Sequence, residues 1–248
     1  MHLTEKPTTP PPGAHLRWLH LSDFHFQPGQ RWDRRASLRA LIRHLGELRE
    51  QELAPDLVFV TGDIAWTGRR YEFQQAERFF HQLAETLKLK PEESFFLVPG
   101  NHDVDRRAIG PADDLILDHL RSEDDVGRVL SDARMMDALG RRLEEFYAFT
   151  ERLLGPARGL RSGRPWRVDV REIRGVPIAV LQLNSAWASG PGDGEKGLLV
   201  GAVQVEEALA EASDAFLRIA RGHHPIADLR DFDSKRLETA LPSPSPAT

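Results

Sequence analysis

Residues 95–105 read FFLVPGNHDVD, and they indicate how this fold brings polar groups to one place. The apolar run 95–98 has the length of a buried strand and stops at Pro99 and Gly100. An amide, an imidazole and two carboxylates follow within five residues. Loops carry functional residues when a rigid sheet positions them. We therefore expect a functional site at the exit of this strand, provided that other strands deliver matching groups beside it.

Short apolar runs alternate with longer segments of helical periodicity along the chain, which predicts an α/β domain. The predicted strands are residues 16–21, 57–61, 95–98, 168–173, 178–183 and 216–220, and the predicted helices are residues 32–53, 71–87 and 203–212. Residues 104–165 are charged and helical in composition. A connection of that length between two strands predicts a helical insertion lying over one end of the sheet.

The chain has 248 residues, of which 40% are hydrophobic, and this is enough for one large core. We expect a single domain over residues 15–240 between two disordered tails, a proline-rich one at 1–14 and a proline- and serine-rich one at 241–248. The sequence contains neither a secretion-signal pattern nor the roughly 20 consecutive apolar residues of a membrane helix. A cytoplasmic protein with no membrane contact is the expectation.

The formal net charge of −5 gives no overall attraction to nucleic-acid phosphates. One group of arginines is either a local basic strip, as a nuclease would need, or an ordinary solvated helix face, which is the commoner case. These arginines are Arg141, Arg142, Arg152, Arg158, Arg161 and Arg164. The chain has no cysteine, so any metal must be held by His, Asp, Glu or Asn side chains.

Four of the six predicted strands end in side chains that can bind a metal. They lead into Asp23 and His25, into Asp63, into Asn101, His102 and Asp103, and into His223 and His224. Loops at the carboxyl ends of strands in an open α/β sheet converge on one edge. The glycines before Asp63 and Asn101 allow sharp turns, and the Asp63 carboxylate has two oxygens with which to bridge two cations. Oxygen and nitrogen ligands suit Mn, Fe, Zn or Co.

Each of these motifs has an ordinary alternative when it is taken alone. Asp23 and His25 can be a helix cap and a surface histidine, Asp63 can be a turn residue, and the His223-His224 pair can be a turn with one buried ring. His20, inside the first predicted strand, is interpreted as a core residue. The occurrence of four such motifs at strand exits favours one shared metal site.

These residues, in this order, resemble the calcineurin-like metallophosphoesterase superfamily. The matching motifs are Asp23-Phe24-His25, Gly62-Asp63, Gly100-Asn101-His102-Asp103 and His223-His224-Pro225. The stretch LQLNSAW at 181–187 is similar to a loop of the bacterial branch related to cyclic-nucleotide phosphodiesterases. The resemblance implies a four-layer α/β/β/α sandwich, two sheets flanked by helices, with a dinuclear metal site at the sheet edge.

The resemblance also implies roles for individual residues. Asp23 and His25 would bind the first divalent ion, Asn101 and His223 the second, and Asp63 would bridge both. The catalytic residues would be His102, which stabilises the phosphoryl group and the leaving oxygen, and Asp103, which orients His102. The expected activity is hydrolysis of a small phosphodiester, or of a monoester, by a hydroxide that bridges the metals.

The sequence departs from the family at its C-terminal end, where the family has a Gly-His-X-His motif with one ligand for each metal. No histidine follows His224 in this chain. Either the chain is truncated, or the site is incomplete and is completed by water, a further domain or a partner. A non-catalytic module that binds a metal or a nucleotide and regulates a partner is therefore the alternative function. A nuclease is a second alternative, which the acidic charge disfavours.

Overall fold

Two three-stranded sheets form the centre of the computed structural model, which describes residues 15–29, 32–190 and 198–241. The strands are β1 (Trp18–Leu21), β2 (Leu57–Thr61), β3 (Phe95–Val98), β4 (Arg167–Ile173), β5 (Val176–Gln182) and β6 (Leu217–Arg221). All six predicted strands are confirmed, with ends displaced by no more than two residues. The tails expected at 1–14 and 241–248 lie outside the described residues, apart from Leu241.

The two sheets differ in strand direction. The first sheet has the order β1-β2-β3 and is wholly parallel. The second has the order β4-β5-β6, in which β4 and β5 are antiparallel and β5 and β6 are parallel. Parallel neighbours end at the same edge of a sheet. The exits of β1, β2 and β3 therefore lie side by side.

Helices occupy the connections between the strands and the segment that follows β6. They are α1 (Trp32–Glu50), α2 (Arg70–Leu87), α3 (Pro91–Ser94), α4 (Pro111–Asp118), α5 (Glu123–Ser131), α6 (Ala133–Gly140), α7 (Glu144–Leu154), α8 (Ala202–Glu211) and α9 (Asp231–Ala240). The three predicted helices are confirmed as α1, α2 and α8. None of the helices within the described ranges is both long and apolar enough to cross a membrane.

Alternate residues of β2 face different layers, as the two-residue period of a strand requires. Val58 and Val60 are fully buried in the cluster that includes the helix side chains of α2. Leu57 and Phe59 point the other way and pack with Val180 of β5, between the two sheets. Both faces of β2 are therefore covered, which explains why this strand is a continuous apolar run rather than an alternating one.

The second sheet is covered on its outer face in the same manner. Ala179 and Leu181 of β5 pack with Val205 of α8 and Leu237 of α9. Helices, sheet, sheet and helices thus form the expected four-layer α/β/β/α sandwich. The helix α9 was not predicted, because the segment DFDSKRLETA is mostly polar and has few apolar positions from which to recognise a helical period.

The insertion expected at about 104–165 is helical, and its helices divide between two places. Helix α7 joins the outer layer of the first sheet, where Phe149 stacks on Phe73 of α2 at 5.4 Å between ring centroids. Helices α4 to α6 form a separate cluster against Trp187, in the loop after β5. The buried Arg142 joins the two parts by donating hydrogen bonds to the carbonyls of Trp187 and Ser189, each at 2.5 Å.

The face of β1 that carries Trp18 and His20 is open to solvent, unlike the faces of β2. Trp18 is 50% exposed, and the Arg221 guanidinium of β6 lies 5.9 Å from its ring. His20 is also exposed and its Nε2 lies 2.6 Å from the hydroxyl of Thr61. The interpretation of His20 as a core residue is wrong, because it sits on the uncovered side of an edge strand.

Candidate metal centre

The loops after β1 and β2 remain paired beyond the ends of the strands. The backbone N–H of Asp23 donates to the carbonyl of Gly62 at 3.2 Å, and that of His25 donates to the carbonyl of Asp63 at 2.8 Å. The Asp-X-His loop and the Gly-Asp loop therefore run side by side as an extension of the parallel ladder. This pairing holds their side chains at one edge of the first sheet.

Three residues of these loops adopt the left-handed backbone conformation that favours glycine. The φ angles are 61° for Asp23, 43° for His25 and 52° for Asp63. Such a conformation costs roughly 1–2 kcal/mol for a residue with a side chain, and it concentrates at functional sites. Asp23 and His25 converge because the backbone turns at each of them.

Two glycines let the loops from both sheets approach closely. Gly62 has φ +76°, and a Cβ there would lie 2.6 Å from the backbone nitrogen of Gly100 and 2.6 Å from the ring of His223. A Cβ on Gly100 would lie 2.5 Å from the backbone nitrogen of Asp63 and closer still to its carboxylate. The expected sharp turns are therefore also points of contact between three strand exits.

Asp63 lies at the centre of the cluster and is only 5% exposed. Its Oδ2 is 3.7 Å from Nε2 of His25, and its Oδ1 is 3.4 Å from Nε2 of His223. The same Oδ1 accepts the backbone N–H of His102 at 3.0 Å. Burial raises the pKa of Asp63, but the hydrogen bond and charge of His223 outweigh burial and bring that pKa below its usual range. The carboxylate is therefore ionised at neutral pH.

Two groups of three potential ligands share Asp63. One group is His25, Asp63 and His102, and the other is Asp23, Asp63 and His223; the ligand atoms of each group lie within 4.8 Å of one another. The structure therefore brings together Asp23, His25, Asp63 and His223, as expected. It adds His102, which sequence reasoning had assigned to catalysis alone.

Backbone carbonyls fix the tautomers of two of these histidines. Nδ1 of His223 lies 2.7 Å from the carbonyl of Thr61, and Nδ1 of His102 lies 2.9 Å from the carbonyl of Trp66. A carbonyl only accepts, so each Nδ1 carries hydrogen and the neutral ring presents its Nε2 lone pair to the cluster. Metal-binding histidines are usually oriented by such a bond from the other nitrogen.

The cluster attracts positive charge. Burial lowers the pKa of His223, but Asp63 and the Thr61 carbonyl outweigh burial and raise it to about 9. In the neutral ring, the lone pair of His223 faces an oxygen of Asp63, and two facing acceptors need a cation or a proton between them. Burial lowers the pKa of His25, which leaves that ring neutral with lone-pair density available.

Distances and unpaired atoms support a fit to divalent cations. The facing ligand atoms are 3.4 Å apart for His223 and Asp63, and 3.7 Å apart for His25 with Asp23 and with Asp63. Neighbouring ligands around a tetrahedral ion bound at 2.0–2.2 Å lie roughly 3.3–3.6 Å apart. The Nδ1 of His25 is buried without a hydrogen-bond partner. These oxygen and nitrogen donors therefore fit a divalent metal.

Asn101 is oriented by His224, to which sequence reasoning had given no role. Nε2 of His224 lies 3.1 Å from Oδ1 of Asn101, and its Nδ1 lies 2.7 Å from the hydroxyl of Ser185. Burial and the neighbouring His223 lower the pKa of His224 to about 4, so its ring is neutral. The ring then donates from Nε2 to Asn101 and accepts from Ser185. Only the tertiary structure shows this chain of three side chains.

Asp103 holds the loop that carries His102 and is completely buried. Its carboxylate accepts the backbone N–H of Ala65 at 2.7 Å and that of Gly100 at 2.9 Å. Burial raises the pKa of Asp103 to about 7. We expected Asp103 to orient His102. The ring nitrogen of His102 bonds instead to the carbonyl of Trp66, so Asp103 acts on His102 through the backbone.

Trp66 is the functional residue that sequence reasoning missed. Its ring stacks on that of His102 at 4.9 Å between centroids and meets that of His25 edge-on at 5.2 Å. The side chain is nevertheless 44% exposed. A large aromatic residue three positions after Asp63, outside any apolar period, was the signal available in the sequence.

The arginines at 141–164 do not form one free basic strip, because two of them are buried and two exposed ones are held in ion pairs. Arg142 and Arg158 are buried, and Arg158 donates to Asp169 at 3.0 Å. Arg152 forms an ion pair with Glu77 at 2.9 Å, and Arg164 forms one with Glu211. The interpretation as a free basic strip is therefore wrong for these four residues, whereas Arg152 and Arg164 are exposed, as a solvated face predicts.

A protein-family model described as calcineurin-like phosphoesterase matches residues 16–241. The matched range contains all six strands and every residue of the two ligand groups. No curated protein matches the chain.

Proposed function

The chain belongs to the calcineurin-like phosphoesterase family, and on that premise we propose that it hydrolyses a phosphodiester by means of two divalent metal ions held around Asp63. The observation that supports this most directly is the sharing of Asp63 between two ligand groups. A single buried carboxylate with a histidine opposite each oxygen is suited to a pair of cations.

In this proposal Asp23, His25 and Asp63 would hold the first ion, and Asp63, Asn101 and His223 the second, as the family resemblance implies. The two groups in the structure divide the ligands differently, with His102 beside His25 and with Asp23 beside His223, but His25 also lies 3.7 Å from Asp23. Cations in these places supply Lewis-acid polarisation of the phosphate and a water-derived nucleophile at neutral pH. Their identity is proposed from the donor set as Mn, Fe, Zn or Co. The loop at 181–187, which contains Ser185, resembles that of cyclic-nucleotide phosphodiesterases and favours a small nucleotide diester as substrate.

His102 is the proposed proton donor for the leaving alkoxide. Its Nδ1 is bound to the carbonyl of Trp66, so only the imidazolium form carries a proton on Nε2, the nitrogen that faces the cluster. Trp66 stacks against the ring and restricts its rotation. Such general-acid assistance typically contributes about 10²- to 10⁴-fold to a rate.

The test combines metal analysis with turnover. Purified protein is loaded with Mn, Fe, Zn or Co, and both bound metal per chain and hydrolysis of bis(p-nitrophenyl) phosphate are measured. We expect two ions per chain and metal-dependent hydrolysis. Asp63→Asn keeps the side-chain shape and should reduce the rate by more than about 100-fold, since even the loss of a residue that only orients a metal ligand costs about 10- to 100-fold. Asp137→Asn, an exposed position on α6, is the matched control. Absence of turnover with all four metals would refute the proposal.

A non-catalytic regulatory module remains the second candidate because ligands are few. Two groups of three that share Asp63 comprise five residues, fewer than two four-coordinate ions need without water or another ligand. If His102 binds a metal, it is also no longer available as a proton donor. This candidate predicts at most one tightly held ion per chain and no hydrolysis, so the same experiment separates the two.

A further inference from the structure

A cavity of about 260 Å³ lies next to the candidate metal centre. Asn101 and His102 line it, and the backbone N–H of His102 also donates to Asp63 at 3.0 Å. The rest of the wall includes Trp66 and three arginines, Arg69, Arg106 and Arg107. A molecule in this cavity would therefore be in contact with the residues that face the reacting phosphate.

The cavity is positively charged, since its lining contains three arginines and a single acidic residue, Asp105. Asp105 is occupied by Arg107, whose Nε and terminal nitrogen lie 3.2 and 3.1 Å from the two carboxylate oxygens. Glu72, behind the lining, is fully buried and accepts the backbone N–H and the hydroxyl of Thr67, each at 2.9 Å. The nearby carboxylates are thus already hydrogen-bonded.

Arg69 differs from the other cations of the cavity. Its Nε is buried without a hydrogen-bond partner, and its guanidinium makes no ion pair with any part of the chain that the structure describes. Its backbone is engaged: the N–H donates to the Glu72 carboxylate at 3.1 Å, and the carbonyl accepts the backbone N–H of Glu72 at 3.0 Å. A guanidinium that lines a cavity without an ion pair can bind a phosphate in a bidentate manner through its two terminal nitrogens.

We infer that this cavity binds a second phosphate of the substrate, so that the substrate class is a small nucleotide diester that carries a further phosphate group. The inference rests on the proposed function, because it places the scissile phosphate at Asp63. Arg69 is the principal contact, and Arg106 and Arg107 add positive charge. A mononucleotide is favoured over a polynucleotide because the chain has a net charge of −5 and Arg152, Arg158 and Arg164 are already held in ion pairs.

The first experiment measures binding without turnover. Adenosine 5′-monophosphate and adenosine 3′,5′-bisphosphate are titrated calorimetrically into the full chain, with and without Mn²⁺. We expect the bisphosphate to bind about 10- to 100-fold more tightly than the monophosphate, because charge-assisted hydrogen bonds to arginine contribute a gain of this size. Arg69→Gln should reduce this preference to threefold or less. Arg70→Gln, the exposed neighbour that does not line the cavity, should leave it unchanged. Equal binding of the two nucleotides, or an Arg69→Gln variant that keeps the preference, would overturn the inference.

The second experiment separates this inference from the proposed function. The p-nitrophenyl ester of thymidine 5′-phosphate is compared, as a substrate, with the same ester bearing a 3′-phosphate. We expect kcat/KM to be about tenfold higher or more for the 3′-phosphorylated ester, and the advantage to disappear in Arg69→Gln. Hydrolysis of both esters at equal rates would overturn the second phosphate site and leave the phosphodiesterase standing. A bisphosphate preference in binding without hydrolysis of either ester would support the phosphate site and refute the phosphodiesterase.

Discussion

Asp63 is a buried carboxylate on a left-handed backbone, with a histidine opposite each of its oxygens. The sequence indicated the residue, since a Gly-Asp pair follows an apolar strand. It did not indicate the conformation, because φ depends on the loops that pack around it. The same applies to Gly100, whose missing side chain leaves room for the Asp63 carboxylate.

Gly100→Ala should displace Asp63 and lower the number of bound metal ions. The added Cβ would meet both the backbone and the carboxylate of Asp63, neither of which is a flexible chain end that can move away. Metal content per chain after dialysis is the measurement. Gly127→Ala is the control, because it lies inside α5 with nothing within 4 Å of the new Cβ and should gain roughly 0.5–1 kcal/mol of stability. Full metal occupancy in Gly100→Ala would contradict this prediction.

His224→Ala should lower kcat for a diester about 10- to 100-fold with little change in KM, because Asn101 loses the ring that orients it. His224→Gln should recover part of the activity, since an amide N–H can replace the Nε2–H donor. Steady-state kinetics of the two variants on one aryl diester give the comparison. Equal losses in both variants would mean that His224 acts only in packing.

Much of the candidate site could be predicted at this scale, and the part that could not has a common cause. Asp23, His25, Asp63 and His223 stand beside strand exits, and strand exits can be recognised from apolar runs. The contacts of Trp66, Ser185 and His224 depend on how loops from two sheets meet. Asp103 was recognised as part of a motif, but its bonding to Ala65 and Gly100 was not.

At the level of elements, strands were easier to predict than the polar helix at the end of the described chain. The strand β2 is apolar throughout because both of its faces are covered. Helix α9 contributes only one fully buried apolar side chain, Leu237, so its pattern carries little periodic signal. The insertion was predicted by length and charge, whereas its division between α7 and the cluster of α4 to α6 follows from contacts with distant segments.

Strand β4 carries a buried ionic cluster centred on Asp169, which is 6% exposed. Its carboxylate accepts from Arg158 at 3.0 Å, from Arg167 at 2.8 and 2.9 Å, and from Gln182 of β5 at 2.9 Å. Burial raises the pKa of Asp169, but Arg167 and Arg158 outweigh burial and bring it below its usual range. The carboxylate therefore links β4, β5 and the insertion.

Asp169→Asn should destabilise the protein by about 3 kcal/mol at pH 7, because it leaves Arg158 buried without a counter-charge. A carboxyl with a lowered folded-state pKa contributes stability above the unfolded pKa of about 3.9 and loses that contribution as pH falls through the folded value. The difference in free energy of unfolding between Asp169→Asn and the wild type should thus be constant from pH 7 to about 5 and should shrink below about pH 4. Urea denaturation across this range measures it. The control is Asp114→Asn, at an exposed position on α4, which should change the free energy of unfolding by no more than about 0.5 kcal/mol. A difference between Asp169→Asn and the wild type that does not vary with pH would contradict the role assigned to the ionised carboxylate.

For the whole molecule, the site depends on two sheets being held together. His223 follows β6 of the second sheet, and its ring bonds to the carbonyl of Thr61 in the first sheet. Gln182 of β5, also in the second sheet, accepts the backbone N–H of Leu97 in the first sheet at 3.2 Å. The apolar strip between the sheets consists of Leu57, Phe59, Phe96 and Val180. The sequence predicted six strands but not how they divide between sheets, because that division is set by contacts between distant residues. The four-layer arrangement was expected from the family resemblance alone.

Phe96→Ala should reduce the free energy of unfolding by about 3–5 kcal/mol, the usual loss for a large aromatic side chain in a core. The ring is 2% exposed, lies 5.8 Å from that of Phe59, and has the Arg158 guanidinium 4.6 Å above it. Chemical denaturation is the measurement. Val170→Ala on β4, where the side chain is 49% exposed, should change stability by no more than about 0.5 kcal/mol. A loss below 1 kcal/mol for Phe96→Ala would show that the strip does not join the sheets.

The left-handed backbone conformations at Asp23, His25 and Asp63 imply a trade-off between the proposed activity and thermal stability. Glycine at any of these positions would relieve a backbone penalty of roughly 1–2 kcal/mol, and every such replacement would remove one of the proposed metal ligands. Selection for thermostability alone would therefore favour variants that are more stable and lack the proposed activity.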